Sequence, residues 1–356
     1  MLYLVQSVAL EVNFVSKITI YTLAKELNMT PSMISRAFSP NGKISEEKRK
    51  IILEVANKYG FTPNKFASRL SMKNVRIGIL INSRFAVNTD KMIAGIERAY
   101  EKLKDYKIQY DITIMNSIEN ESENHIEILN RYKNYNGVIV AGMSSEKYTN
   151  MLNALCEENP NVVQVQAINK SVDCLFVSKH NEETASCLAA EFLNNCLKSK
   201  KRKNILLFTG DKDSTLHSGA EAAFKNACRE FGLSVLKSID MKDNERYFSE
   251  IISDILEKYI RETDGIYITS GMSSPLCRYI DENNIDIPFV SFDTYEDIKK
   301  YIKKGIISAT IAQNVEKQME NAFEYLVRHI ITREASPKTV CTDVQLVLKS
   351  NMHQFN

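Results

Sequence analysis

From Val75 onward, short apolar runs alternate with amphipathic stretches in a regular way. The runs VRIGILIN (75 to 82), YDITIMN (110 to 116), GVIVAGM (137 to 143), NVVQVQAI (161 to 168) and CLFVSK (174 to 179) read as five strands. After a helical segment the theme returns in NILLFTG (204 to 210), LSVLKSID (233 to 240), GIYITSG (265 to 271) and PFVSFDT (288 to 294). Strand and helix alternating over this length predict α/β architecture, with parallel sheets covered by helices on both faces. The break near Lys179 splits the strands five and four and predicts two lobes. Ligands in such folds sit outside the carboxyl ends of the strands, so the expected site is a cleft between the lobes.

The chain before Val75 follows a different period. Thr19 is placed to cap a helix from about Ile20 to Leu27, with Leu23, Ala24 and Leu27 at helical spacing. A turn at Asn28 and Met29 follows, and Thr30 with Pro31 then starts a second helix, since proline at the first helical position costs no hydrogen bond. Met33, Ile34, Ala37 and Phe38 form its inward stripe, leaving Ser32, Ser35 and Arg36 on a short, polar, basic outer face. Ser45 is expected to cap a third helix with Ile51, Ile52, Val55 and Tyr59 as its apolar stripe and Gly60 as its end. Three short helices with a tight first turn predict a helix-turn-helix unit, whose second helix enters the major groove. The bland alternative for the outer face is a solvated side of an ordinary bundle.

Charge sharpens that choice. The 356-residue chain has a net charge of only +2. Residues 17 to 76, however, hold twelve Lys and Arg against four acids, and the remainder is mildly acidic. A basic unit joined to an acidic body points to an anionic polymer as partner of the small unit alone. No apolar run is long enough to span a membrane, and the start MLYLVQSVALEVNFVSK lacks the positive flank and cleavage site of a secretory signal, which predicts a cytoplasmic protein. The seven cysteines are scattered without a C-x-x-C pair, so neither a disulfide framework nor a metal site is expected. With no nucleophile elbow, phosphate loop, metalloprotease or dinucleotide motif, and five histidines apart in sequence, no enzyme and no cofactor are expected.

The stretch ITIYTLAKELNMTPSMISRAFSPNGKISEEKRKIILEVANKYGFTPNKFASRL resembles the headpiece of the LacI/GalR transcription regulators, through its T-I-Y-x-x-A-K start, S-x-x-x-I-S-R-x-F core and Y-G-F-x-P-N exit. The resemblance implies that Pro31, Ser32 and Arg36 read base edges and that Thr30 and Ser35 contact phosphates. It also implies a hinge helix from Asn64 to about Met72 that forms on operator binding, with Leu70 wedged between base pairs in the minor groove. Thr19, Tyr21, Asn64, Ala67 and Ser68 complete the implied DNA-contacting set. SFDTYEDIKKYIKKGIISATIAQNVEKQ (291 to 318) resembles the same family's periplasmic-binding-protein-like effector domain. The expected organisation is an extension over 1–16, the helix-turn-helix domain over 17–62, hinge and linker over 63–74, and the effector domain over 75–356. Lobe 1 is expected over about 75–178 and 311–340, and lobe 2 over about 179–307 and 343–356.

By the same resemblance Asp293 and Gln313 match positions that bind sugar hydroxyls, and Asn82, Ser83, Arg84 and Phe85 occupy the ligand lip. Asp90 reads as the cap of the following helix. Two departures stand out: Ala220 occupies a position where sugar-binding relatives carry arginine, and TSGMSS (269 to 274) replaces their Asn-Asp. His217, Ser270 and Ser273 are the candidates to stand in. The implied function is a sequence-specific, homodimeric DNA-binding repressor that recognises a near-palindromic operator under control of a small effector, a sugar or related polar metabolite. The alternative is a regulator of the same fold controlled by a protein partner.

Overall fold

The computed structural model describes residues 19–38, 42–61, 74–83, 86–115, 127–128 and 130–355. The extension over 1–16, and the hinge over 63–74 except Asn74, lie outside the described residues. The chain divides into two compact units after residue 73.

The first unit holds α1 (Ile20–Glu26), α2 (Pro31–Ala37) and α3 (Glu46–Lys58). Thr19 and Thr22 close a reciprocal capping box at α1, and the Thr30 hydroxyl accepts from Met33 N at 3.2 Å at α2. Ser45 sits at the cap position of α3, but its side chain makes no cap hydrogen bond. Leu23, Ile34 and Ile52 are fully buried and form the core with Ala24, Ala37 and Ala56. Each of the three large side chains contributes about 1.5–3 kcal/mol. The Arg49 guanidinium donates to Ala37 O at 2.8 Å and Gly42 O at 2.9 Å, satisfying carbonyls at the end of α2. Ile51 and Tyr59 turn outward, 41% and 37% exposed. The inward stripe of α3 therefore runs through Ile52 and Ala56, one step around the helix from the expected one.

The second unit contains two six-stranded sheets. The first is built from β1 (Val75–Asn82), β2 (Ile108–Met115), β3 (Gly137–Ala141), β4 (Val162–Val165), β5 (Phe176–His180) and the late strand β11 (Thr339–Thr342), in the order β11-β5-β4-β3-β1-β2. The second holds β6 (Asn204–Thr209), β7 (Ser234–Asp240), β8 (Gly265–Ile268), β9 (Phe289–Phe292), β10 (Ala309–Gln313) and β12 (Val344–Val347), in the order β12-β10-β9-β8-β6-β7. All pairings are parallel except β10 with β12. The central strands are continuously apolar because helices cover both faces.

In lobe 1, α4 (Ala86–Leu103) and α11 (Val315–Thr332) pack on one face of the sheet. Gly95 lets these helices meet closely, since a Cβ there would lie 2.2 Å from Glu316 O. Within lobe 2, α6 (Glu182–Cys196) and α7 (Thr215–Glu230) cover one face, while α8 (Glu245–Tyr259), α9 (Ser274–Glu282) and α10 (Glu296–Lys304) cover the other. A further helix, α5 (Thr149–Glu158), lies on the second face of lobe 1.

The chain passes between lobes at Asn181, Asn314 and Asp343. The second passage falls later than expected, since lobe 2 was read to end at about 307 and lobe 1 to resume at about 311. β10 pairs in parallel with β9, Ala309 opposite Val290, and keeps residues through Gln313 in lobe 2. Lobe 1 resumes at α11 and ends with β11 at Thr342, not at residue 340. Asn181 and Asn314 each cap the helix that follows, accepting from Thr184 N and Lys317 N. No described helix is long and apolar enough to cross a membrane.

Candidate functional site

A cavity of about 390 Å³ lies between the carboxyl ends of the two sheets. Its lining residues sit at or just after strand ends: Asn82 ends β1, Gln166 follows β4, His180 ends β5, Thr269 and Ser270 follow β8, Asp293 follows β9, and Gln313 ends β10. The two walls touch at the mouth. Ser144 Oγ of lobe 1 meets Ser214 Oγ of lobe 2 at 2.7 Å, and the Thr215 hydroxyl donates to Ile168 O. Lys91 of α4 places its ammonium 6.0 Å from the ring centroid of Tyr295, so the lobes are closed on one another.

Asp293 is the electrostatic centre of the lobe 2 wall. It is 7% exposed and adopts φ +66, a left-handed backbone that a non-glycine residue rarely takes. Its Oδ2 accepts from Gln313 Nε2 at 3.1 Å, and Tyr295 also hydrogen-bonds its side chain. Thr310 Oγ1 donates to its carbonyl at 2.5 Å, which pins the turn. Burial raises the carboxyl pKa to about 6, against the opposing pull of these neutral donors and of Lys91. Gln313 is held in turn by Gln318 Nε2, which donates to its Oε1 at 3.4 Å.

His180 packs against Phe292 with ring centroids 5.6 Å apart and hydrogen-bonds the Gln313 side chain. Burial lowers its pKa to about 4, so the ring is neutral. His217 places Nε2 3.0 Å from Asp243 Oδ2. Gly210 makes room for this pair: a Cβ there would lie 2.3 Å from Asp243 Oδ1 and 2.5 Å from the His217 ring. On the lobe 1 wall Asn88 Nδ2 donates to Gln166 Oε1 at 3.1 Å. Asn82 Nδ2 donates to Gly142 O at 3.1 Å and to the Tyr148 hydroxyl at 3.0 Å.

Six buried side-chain polar atoms among the described residues have no hydrogen-bond partner, and four of them belong to cavity residues: Asn88 Oδ1, His180 Nδ1, His217 Nδ1 and Thr269 Oγ1. A buried polar atom left unsatisfied costs roughly 1–3 kcal/mol.

Of the residues singled out from sequence, Asn82, His217, Ser270, Asp293 and Gln313 line this cavity. Ser273 does not. It is fully buried, and its hydroxyl is engaged with Ser291 Oγ. Arg84 and Phe85 lie outside the described residues, as do Asn64, Ala67, Ser68 and Leu70. Asp90 is no cap, because α4 begins at Ala86 and runs through it. The earlier start places Asn88 in the cleft, a residue missed in sequence together with Gln166, His180, Asp243 and Tyr295. In the first unit Ser32, Ser35 and Arg36 are exposed on α2, Tyr21 is 72% exposed on α1, and Pro31 is half-buried.

Among the described residues no cluster of His, Cys, Asp and Glu is placed to hold a metal ion. Burial pushes the thiols of Cys156 and Cys228 up to about 11 and 12, which keeps them protonated and poorly nucleophilic.

Two lobes joined by three passages, with a polar cavity at facing strand ends, define the architecture of a two-lobed binding-protein fold. Residues 81–334 match the family model described as a periplasmic binding protein domain. The chain belongs to that family, as a LacI/GalR-like transcription regulator. It is 24% identical over 278 residues to catabolite control protein A of Priestia megaterium, covering 76% of this chain and 80% of that one. A solved structure taken to be a LacI transcriptional regulator from Bacteroides fragilis superposes with a TM-score of 0.67 at 18% identity, over 80% of this chain and 100% of the other. A solute-binding protein of an ABC transporter from Burkholderia graminis, in complex with D-arabinose, gives 0.69 at 16% identity, over 79% and 98%.

Proposed function

We propose that this protein is a cytoplasmic, homodimeric repressor whose helix-turn-helix unit reads a near-palindromic operator and whose body binds a small polar effector between its lobes. The polar cavity at the facing strand ends, lined by Asn82, Ser270, Asp293 and Gln313, carries the effector reading. Its volume of about 390 Å³ suits a small molecule, and this favours a small ligand over control by a protein docked on the outer surface. Asp293, Gln313, His217, Ser270 and Asn82 are assigned to that ligand, with Arg84 and Phe85 at the lip. A sugar or similar polar metabolite fits the neighbourhood of structures that includes an arabinose complex.

The DNA reading is supported by the basic first unit, by the capped α2 with Ser32, Ser35 and Arg36 exposed, and by the resemblance of its sequence. Pro31, Ser32 and Arg36 would read base edges. Thr19, Tyr21, Thr30, Ser35, Asn64, Ala67 and Ser68 would hold the backbone, and Leu70 would wedge the minor groove. Ligand binding would shift the lobes and so the relation of the two hinges in the dimer.

Fluorescence anisotropy with duplexes from the protein's own upstream region, across salt concentrations, tests this. One short near-palindrome should bind with a steep salt slope. Arg36→Ala should cost about 1–3 kcal/mol and relax sequence preference. Leu70→Ala should weaken the same site by about 1 kcal/mol or more. Equal binding of every duplex by all three proteins, with and without ligand, sinks the proposal.

A further inference from the structure

The described cavity wall is unevenly charged. It carries four carboxylates, Asp211, Asp213, Asp243 and Asp293, against one ammonium, Lys147. Asp243 is engaged with His217. Asp293 is buried and has no ion-pair partner among the described residues: its hydrogen-bond donors, Gln313 and Tyr295, are neutral. Lys91, the nearest described cation felt by this carboxylate, lies over the far ring of Tyr295. A carboxylate removed from water without a counter-charge is costly to keep, and a ligand cation would remove that cost.

The charge of the described wall therefore carries the preference: it favours a ligand cation and opposes an anion.

Resting on the cleft as the effector site, we propose that the ligand is a small polyhydroxylated molecule with a protonated amine, an amino sugar or aminated polyol, whose ammonium is held by Asp293. Its hydroxyls would meet polar side chains of both lobes and hold them closed. A phosphorylated or carboxylated sugar would meet the acidic wall and be rejected.

The test is the melting temperature of the full chain with three probe sets at equal concentration. The amine set is D-glucosamine, D-galactosamine and D-mannosamine. The neutral set is their parent hexoses with D-arabinose and myo-inositol, and the anionic set is glucose 6-phosphate and glucuronate. The amine set should raise the melting temperature by about 3 °C or more once the ligand is in large excess over its Kd, and the other two should not. The nearly isosteric Asp293→Asn should lose that shift, while Arg246→Ala, on the exposed side of α8, should keep it. A rise with the neutral or anionic set equal to or larger than with the amines overturns the amine inference and leaves the cleft as a ligand site. No rise with any set overturns the effector reading of the cleft itself.

Discussion

The two walls of the cleft solve the same problem with different chemistry. Lobe 1 presents amides that largely satisfy one another, Asn88 on Gln166 and Asn82 on Gly142 and Tyr148, so its wall is braced, and among the described residues it carries no carboxylate. Lobe 2 presents all four cavity carboxylates, with Asp293 held only by neutral donors and Asp243 tied to His217. Amides that bond each other cost little when the lobes part. A buried acid without an ion pair among the described residues, as Asp293 is, is expensive to keep, and a cost of that kind is kept where it serves binding. The difference teaches that lobe 1 shapes the cavity and lobe 2 selects what enters it.

The sharpest way to break this contrast is at the floor of the lobe 2 wall. Gly210→Ala drives a methyl into the ends of the Asp243 and His217 side chains and should cost about 1–3 kcal/mol in urea unfolding, because they give way by breaking their contact with each other. Wild-type stability in that variant would mean that the pair is loosely seated and selects nothing. Asp293→Asn acts with opposite sign. It removes a desolvated charge and should leave the unliganded protein at least as stable at pH 8, by about 0.5–2 kcal/mol. A clear loss would show that Asp293 supports the fold and not the ligand. Ser144→Ala removes the hydroxyl bridge to Ser214 and should favour the open form by about 0.5–1.5 kcal/mol, read as a larger radius of gyration in solution scattering.

Acidity gives the finest probe. Asp293, raised to about 6, holds its proton more tightly when folded, so its contribution to stability is present below its ordinary range and is lost as pH rises through 6. His180, lowered to about 4, does the reverse: its penalty is present at low pH and fades as pH rises from 4 past its ordinary 6.5. The two slopes oppose between pH 4 and 6, with Lys91, Lys179 and Glu182 as the charged neighbours. Melting temperatures of Asp293→Asn should therefore climb more steeply with pH across that window than those of the wild type. Parallel curves would mean that Asp293 titrates normally.

Much of the architecture was legible because buried parallel strands announce themselves as continuous apolar runs. All nine runs read from the sequence contain strands. A later strand ahead of Gln313 was also expected and is β10. The two that were passed over, β11 and β12, are four residues long each and carry threonine, cysteine and glutamine, so they lack an apolar signature. On α3 a run of two isoleucines and a leucine left the inward direction open, and Ile51 was chosen where Ala56 is buried. At the site, Asp293 and Gln313 were found through resemblance, while His180 and Gln166 were not. Yet both stand where strand-end geometry directs attention, at the last residue of β5 and the first after β4. Asp243 and Tyr295 had no such signal, since one follows an edge strand by three residues and the other reaches the site through a carboxylate.

The three passages between the lobes have a mechanical meaning. Asn181 donates its backbone N–H to Thr342 O at 3.2 Å, which ties the first passage to the third, while Asn314 anchors the second to its own helix. Two bodies joined by three short tethers cannot slide or twist freely past one another; what remains is rotation about a single axis. A molecule lodged in the mouth then acts as a shim. Its thickness fixes one angle, and that angle is the only message the body can transmit.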